Sequence, residues 1–442
     1  MTLGESGKTV ALATGASQTG FGRTGTVDWQ TAIKTATFTA ASGEGYFCNT
    51  SGGAFTVNLP SSPSVGDIVA IKDYGSSFAT NALTIGRGGS NMNGSATDSV
   101  RGTDNESLTL VYADATKGWL SVEEGTGFVG ESFIVATGGT VTCSGDCKIH
   151  TFTGPGTFAV SGIASCATNN IVSHVVVAGG GGGGSGIGGG GGAGGFREVK
   201  NPITPYTASP LDGYPTSPNR VTLTATSFPI TVGAGGAGGP APGGNSGSSG
   251  ANSIFSTVTS AGGGGGAGTS DAHIAGGSGG GAAYNSLISP TGAPGGAGNT
   301  PPTSPAQGFP GGTGSNPTGA GNPPGPPCAS TTSTGGGGAT AAGGDWNSAR
   351  PAAGAGGAGA TSSINGTPTA RAGGGGGVYN TSGAPGPGGA GGGGAGAPGP
   401  SSGGVVGVAG TANTGGGGGA SGDPANAGAG GSGIVIIRYK YK

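Results

Sequence analysis

Charge is scarce in this sequence. The chain of 442 residues contains 16 Lys and Arg and 18 Asp and Glu, and its formal net charge is −2. Between Val221 and Ile437 there are five charged residues. Nucleic-acid binding depends on clustered Lys and Arg, so we expect no nucleic-acid partner. Disordered chains combine low hydrophobicity with high charge, and the second half of this chain lacks that charge.

Cysteine is rare as well. The five cysteines are an odd, widely spaced set, which excludes a disulfide framework; they are Cys48, Cys143, Cys147, Cys166 and Cys328. Cys143 and Cys147 are close in sequence and His150 is nearby, but no further Cys or His pair follows at the distance of a zinc finger. We therefore expect free thiols, no bound metal and no cofactor.

Long apolar runs and a signal peptide are also missing. No stretch approaches about 18 consecutive apolar residues, so no membrane span is predicted. The opening residues lack a basic region followed by an apolar run, so no Sec-type signal is expected. We expect a protein that stays in the cytosol or leaves its cell by another route, such as lysis.

Groups that could carry catalysis are few. Of the three histidines, His150 and His174 lie in β-like runs, where a structural role is expected. Asp271 and His273 share a loop with no nucleophile beside them, and no pair of carboxylates stands in a cleft-like context. Residues 5–10, ESGKTV, resemble part of a phosphate-binding loop but lack its first glycine. We expect no enzymatic activity.

Glycine, by contrast, is in great excess. The chain has 113 Gly and 29 Pro, far above ordinary usage. The first 177 residues read as ordinary β sequence, whereas glycine tracts dominate from Ala178 onward. The predicted parts are an attachment arm (1–30), a β-sandwich or barrel-like domain (31–125), a second small β domain (126–177) and a glycine-rich domain (178–442).

Short runs of β-branched and aromatic residues between turn signals predict an all-β N-terminal part. Phe55, Val57 and Leu59, for example, alternate with polar residues. The strands predicted before residue 126 are 36–40, 45–50, 54–59, 67–74, 82–85, 107–113 and 118–124. Those predicted next are 131–136, 139–143, 147–154, 156–160 and 170–178. Further short β runs beside glycine are predicted within 228–236, 253–266, 404–410 and 431–442.

The glycine tracts can fold only by using their backbone. Ordering a residue costs about 1–2 kcal/mol, most of all for glycine, and few side chains are present to offset this by burial. Polyproline II geometry has three residues per turn and no internal hydrogen bonds, so helices without Cβ atoms can bond side by side. We predict packed polyglycine II helices with short β-strands in an elongated, fibrous protein. Collagen is excluded, because its strict Gly-X-Y repeat is missing.

The apolar C-terminus favours a folded region over a disordered linker. A run of apolar residues near the end of the chain needs a partner strand, and a matching run precedes the first glycine tract. The predicted closing strands contain Val175, Val176 and Val177 at one end and Ile434, Val435, Ile436 and Ile437 at the other. Their pairing would close the glycine-rich region as one domain.

These segments resemble a known class of protein. VVVAGGGGGG, PITVGAGG, TVTSAGGGGG and the closing GGSGIVIIRYK are similar to segments of glycine-rich structural proteins of tailed phages, particularly phages of aquatic bacteria. KIHTFTGPGTFAV (148–160) is similar to the β segment that precedes the glycine-rich region in such proteins, and the resemblance covers about residues 131–442. The distal adhesins on the long tail fibres of T-even-type phages similarly build a polyglycine II sandwich whose loops touch the host surface.

The resemblance implies a virion structural protein, namely a tail fibre or tail-tip receptor-binding adhesin. Its partners would be a host cell-surface polysaccharide or outer-membrane protein and, through its N-terminus, other tail or fibre proteins. It would be assembled in the host cytoplasm, released by lysis and located in the virion, and fibre analogy implies a homotrimer. The alternative is a secreted or virion spacer protein with no specific receptor. A polysaccharide-degrading tailspike is disfavoured, because it needs paired acidic residues on a long β-helix.

Large side chains in the glycine-rich half are candidates for receptor binding. They stand in polar segments outside the glycine tracts and are Trp346, Tyr284, Tyr379, Tyr206 and Tyr214. Aromatic side chains on a rigid scaffold provide contact area at low entropic cost. The alternative is that they cap or wedge the ends of the glycine helices. Trp346, in GGDWNSAR, is the best binding candidate.

Overall fold

The structure is a computed structural model of the chain. It describes residues 27–125, 133–269, 274–284, 293–314, 332–345, 352–379, 383–398 and 404–442. The chain divides into two compact units, Met1–Gly130 and Glu131–Lys442. Both are nearly all β, and the helices among the described residues are two short 3-10 turns, Ala167–Asn170 and Ser217–Asn219. Neither is long and apolar enough to cross a membrane.

The first unit is built from short strands that enclose one apolar core. In chain order they are β1 (Asp28–Trp29), β2 (Phe38–Thr39), β3 (Glu44–Cys48), β4 (Thr56–Asn58), β5 (Ile68–Asp73), β6 (Leu83–Gly86), β7 (Ser99–Arg101), β8 (Ser107–Asp114) and β9 (Gly118–Gly125). One sheet has the order β1-β3-β5-β8-β9 and the other β2-β4-β6-β7. Val57, Leu83, Ile85 and Trp119 are fully buried in the shared core.

The chain of this unit alternates between its two sheets from β1 to β6. As a result, β1, β3 and β5 pair in parallel, as do β2, β4 and β6. The later strands, β7 to β9, add antiparallel. The predicted attachment arm, 1–30, lies mostly outside the described residues, but its Asp28 and Trp29 pair with β3.

The second unit contains the remaining strands. They are β10 (Val135–Thr137), β11 (Thr140–Ser144), β12 (Cys147–Phe152), β13 (Gly156–Gly162), β14 (Ile171–Val177), β15 (Phe196–Val199), β16 (Val221–Thr222), β17 (Ser227–Thr231), β18 (Ser253–Phe255), β19 (Val258–Ser260), β20 (Ala360–Ser362), β21 (Thr369–Arg371) and β22 (Ile434–Lys440). A five-stranded sheet has the order β10-β13-β17-β18-β19. A six-stranded sheet has the order β11-β12-β22-β14-β15, with β16 also pairing with β14.

Two apolar cores flank the six-stranded sheet. One joins it to the five-stranded sheet and contains Phe158, Phe255, Val176, Val435 and Ile437. The other joins its opposite face to alanines of the glycine-rich region, and contains Val175, Val177, Phe196, Ile434, Ile436, Ala193, Ala339 and Ala372. Strands buried on both faces are expected to be apolar at every position. This explains the unbroken runs VVV and IVII.

The two predicted closing strands lie side by side. β14 and β22 pair antiparallel, with Val177 opposite Ile434 and Val175 opposite Ile436. On its other edge β22 pairs with β12, from Cys147 opposite Lys440 to Phe152 opposite Val435. The C-terminal strand therefore lies inside the sheet, between two strands that come almost three hundred residues earlier.

The division between 126–177 and 178–442 that the sequence suggests is absent from the tertiary structure. β12 and β14 share a sheet with β22, and β13 pairs with β17. Glu131–Lys442 is consequently one compact unit. The physical reason is that strands 133–177 cannot cover both faces of their sheets without strands and alanines from the glycine-rich region.

Candidate binding end of the glycine-rich region

The first glycine tract bonds to three neighbouring stretches in strict rotation. Every third N–H donates to the same stretch: Gly179 to Ala251, Gly182 to Ser248 and Ser185 to Asn245, all at 2.9–3.0 Å. The next series donates to a second stretch, Gly180 to Gly431 and Gly183 to Gly428. The last series donates to a third, Gly181 to Gly192 and Gly184 to Gly189. The backbone thus turns through a full circle every three residues.

The same tract is closely covered by three further stretches. A Cβ atom added at Gly179, Gly180 or Gly181 would overlap a carbonyl oxygen of Ala234, Gly416 or Gly264. Three residues further on, the overlaps recur with Ala237, Gly419 and Ala267. Backbone therefore meets backbone on every side of this tract, and only glycine leaves room for that approach.

Glycine spacing distinguishes inner stretches from outer ones. Inner stretches, such as 178–184, 189–195 and 415–421, are almost unbroken glycine and are buried along their whole length. The outer stretch 404–410, GVVGVAG, keeps glycine only at every third position, and Val405, Val406 and Val408 are 41–58 % exposed. Its prediction as a β run is wrong, because glycine every third residue favours a threefold backbone with one buried face.

The stretches run between two ends of the unit. At one end, here called the strand end, they begin or finish at strands: 178 follows β14, 196 opens β15, 232 follows β17, 253 opens β18, 261 follows β19 and 434 opens β22. The opposite end, here called the loop end, is where the chain turns back. Its described residues include Ser185, Ile187, Tyr284, Gly314, Thr332, Asp345, Tyr379, Pro398 and Ser421.

Hydrogen bonds and bridges hold the loop end together. Gly314 N–H donates to the Ala293 carbonyl at 2.9 Å, and Thr313 N–H donates to an Asp345 carboxylate oxygen at 2.6 Å. Further bonds join Ile187 N–H to Ser421 O and Tyr284 N–H to Ile187 O. Isolated bridges link Thr332 with Tyr379 and Tyr379 with Pro398. The chain therefore returns to this end again and again.

The structure separates the predicted binding aromatics. Tyr284 and Tyr379 lie at the loop end, where Tyr284 is partly exposed and Tyr379 is 7 % exposed. Trp346 lies outside the described residues, directly after Asp345. Tyr206 and Tyr214 lie at the strand end, near β15. The five residues therefore do not form one cluster.

Tyr206 and Tyr214 are occupied by contacts within the unit. The Arg438 guanidinium lies 5.4 Å from the centre of the Tyr206 ring, and burial raises the pKa of this phenol. The Arg220 guanidinium lies 4.3 Å from the centre of the Tyr214 ring, and its Nε donates to the Tyr214 carbonyl at 2.7 Å. At these two positions the described geometry supports packing.

A family comparison covers this whole construction. A family model described as a glycine-rich domain matches residues 152–440, from the last residue of β12 to the last residue of β22. The chain belongs to this glycine-rich domain family. The matched region includes the closing strands as well as the glycine stretches, so the family unit is the folded body rather than the tracts alone. None of the curated proteins compared matches the chain.

Polar side chains at the loop end of the glycine-rich domain were not singled out from the sequence. Asn426 Oδ1 accepts from Ala241 N–H at 2.7 Å, and Asp423 Oδ1 accepts from Gly243 N–H at 3.2 Å. Asn245 Nδ2 donates to the Pro240 carbonyl at 2.8 Å. These bonds order the turn at 240–244. Pro and Asn beside glycine were the available signal, since both favour turns.

A buried acid fixes the strand end of the domain. Glu198 on β15 is 2 % exposed, and its carboxylate accepts from Ser209 N–H at 2.8 Å and from the Ser362 hydroxyl at 2.6 Å. Burial raises its pKa, while these hydrogen bonds act in the opposite direction. Among the described residues no three His, Cys, Asp or Glu side chains converge as a metal site requires.

His174 makes the stability of the domain pH-dependent. It lies on β14, fully buried, with its ring 5.6 Å from that of Phe255 and no hydrogen-bond partner for either ring nitrogen among the described residues. Burial, helped by nearby Arg197, lowers its pKa from 6.5 to about 3. Below pH 6.5 the unfolded chain therefore binds a proton that the folded chain refuses.

We expect the free energy of unfolding to fall by about 2 kcal/mol from this histidine alone between pH 7 and pH 5. Calorimetry of the wild type and of His174→Leu at both pH values measures it. The second transition of the wild type should move to lower temperature by more than that of the variant. Equal shifts in the two proteins would refute the assignment to His174.

Proposed function

We propose that the glycine-rich domain is a bundle of packed polyglycine II helices. The rotation of hydrogen-bond partners every three residues supports this, because polyproline II geometry has three residues per turn and points its N–H groups outward. The buried, unbroken glycine of the inner stretches supports it too. Backbone angles near −75° and +145°, the polyproline II values, in an experimental structure would test it, and extended strand angles would contradict it.

We further propose that the protein is a virion component, a tail fibre or tail-tip adhesin that binds a host receptor at the loop end. The observation that carries this is the repeated return of the chain to one end of a bonded scaffold. Loops held on a rigid framework are the usual place for recognition. The segments that join the stretches there, such as WNSARP after Asp345, hold the large and polar residues that the tracts lack.

The partner chemistry follows from this composition. The domain offers aromatic, hydroxyl and amide groups with few charges, which suits a host cell-surface polysaccharide or the loops of an outer-membrane protein. Attachment to other tail or fibre proteins is assigned to the N-terminal part of the chain, and the mature location to the virion after release by lysis. The alternative is a spacer without a receptor, which the uniformity of the inner stretches favours.

Cell binding by the full-length protein tests the adhesin proposal. Labelled wild type is mixed with candidate host cells and compared with Trp346→Ala, which removes the best candidate at the loop end. We expect Trp346→Ala to bind at least about tenfold more weakly, as for an aromatic hot spot. Trp29→Ala is the matched control, because Trp29 is 43 % exposed in the other unit. No wild-type binding to any host would favour the spacer.

A further inference from the structure

The strand β11 forms an unprotected edge of the six-stranded sheet. In the described part of the chain it pairs with β12 alone, in an unbroken register from Thr140 opposite Thr151 to Ser144 opposite Cys147. Its sequence is TVTCS, and four of its five residues are exposed. Proteins usually blunt such edges with Lys, Pro or a bulge, which prevents pairing with another chain. β11 has none of these.

Apolar side chains accompany this edge. Val141 on β11 is 47 % exposed. β10, the preceding strand, is likewise the edge of the five-stranded sheet, and its Val135 is 55 % exposed. Val135 pairs with Gly162, next to Ile163, which is 45 % exposed. The side of the sandwich on which the chain passes from one sheet to the other is therefore uncharged and partly apolar.

The edge of β11 is complementary to itself. The two-residue turn Gly145–Asp146 makes Ser144 and Cys147 the closing pair of the hairpin. In an antiparallel ladder alternate residues bond inward, so Val141 and Cys143 direct their N–H and C=O groups away from β12. An antiparallel copy with Thr142 opposite Thr142 sets Val141 against Cys143 twice and Thr140 against Ser144 twice. Such Thr, Ser and β-branched pairs are favourable across strands.

We propose that β11 pairs with β11 of a second copy of this chain, joining two six-stranded sheets edge to edge. A second copy is the occupant because the register is self-complementary and places no like charges opposite each other. The contact is isologous and so closes with two copies, whereas the fibre resemblance implies three. Two five-residue strands bury less than about 1,200 Å², the range of weak associations. The dimer should therefore form in the micromolar range.

Sedimentation of the full-length protein over a range of micromolar concentrations tests the proposal. The wild type should approach twice the monomer mass, and Thr142→Lys should associate about tenfold more weakly, because two lysines would face each other at the symmetry axis. Thr231→Lys is the matched control, an exposed threonine on β17, which already has a partner on both edges. It should dimerise like the wild type.

Disulfide trapping tests the register independently of stability. Val141→Cys should give a covalent dimer under mild oxidation, because residue 141 of one copy faces Cys143 of the other. Val141→Cys combined with Cys143→Ser should not. A wild type that stays monomeric, a trimer unaffected by Thr142→Lys, or trapping that does not need Cys143 would each overturn the proposal.

Discussion

Gly191→Ala is expected to destabilise the unit Glu131–Lys442 by about 3 kcal/mol or more. Gly191 lies in an inner stretch, where its N–H donates to Gly418 and its carbonyl accepts from Gly375, both at 2.8 Å. A Cβ atom there would overlap the carbonyl oxygen of Gly181. Both partners are backbone in fully surrounded stretches, so neither can move aside without breaking further hydrogen bonds.

Gly314→Ala is the matched control for this substitution. Gly314 also lies in a glycine stretch, but an added Cβ would meet the Ala282 Cβ at 3.6 Å, an ordinary contact. We expect its unfolding free energy to stay within about 0.5 kcal/mol of the wild type. Urea unfolding of both variants makes the comparison. Equal stability of the two would show that the inner stretches are not closely packed.

Removal of the C-terminal strand is expected to unfold the whole second unit. A chain ending at Gly433 lacks β22, which lies between β12 and β14 and contributes five buried apolar side chains, namely Ile434, Val435, Ile436, Ile437 and Tyr439. At about 1.5–3 kcal/mol each, their burial contributes on the order of 10 kcal/mol. That is comparable to the entire stability of an ordinary domain, about 5–15 kcal/mol.

Limited proteolysis measures this loss. In the truncated chain, sites in 131–433 should be cut rapidly while the first unit, which has its own core, stays protected. A chain ending at Lys440 keeps all of β22 and should resist cleavage as the wild type does. Protection of 131–433 without β22 would mean that the glycine stretches hold together by their backbone bonds alone.

Local patterns predicted much of the fold. Alternation and β-branched content indicated most strands of both units, including β5 and β8, because these features are properties of a few consecutive residues. Sequence reasoning missed β15, β20 and β21. β15 reads FREV and contains two charged residues; it is a strand because β14 offers an edge and because Ser209 and Ser362 satisfy Glu198. Such compensation depends on distant segments and leaves no local signal.

The sequence by itself determined that this is a nearly all-β protein with a glycine-rich body closed by apolar strands, and its glycine spacing encodes which stretches can be surrounded. Only the tertiary structure decided that 133–177 belongs to that body, and that Tyr206 and Tyr214 lie at the opposite end from Tyr284 and Tyr379. The reason is physical. A glycine stretch can bond to any neighbour that its backbone meets, so identical tracts do not specify partners. Order comes from the strands and turns at their ends, whose pairing joins residues hundreds of positions apart.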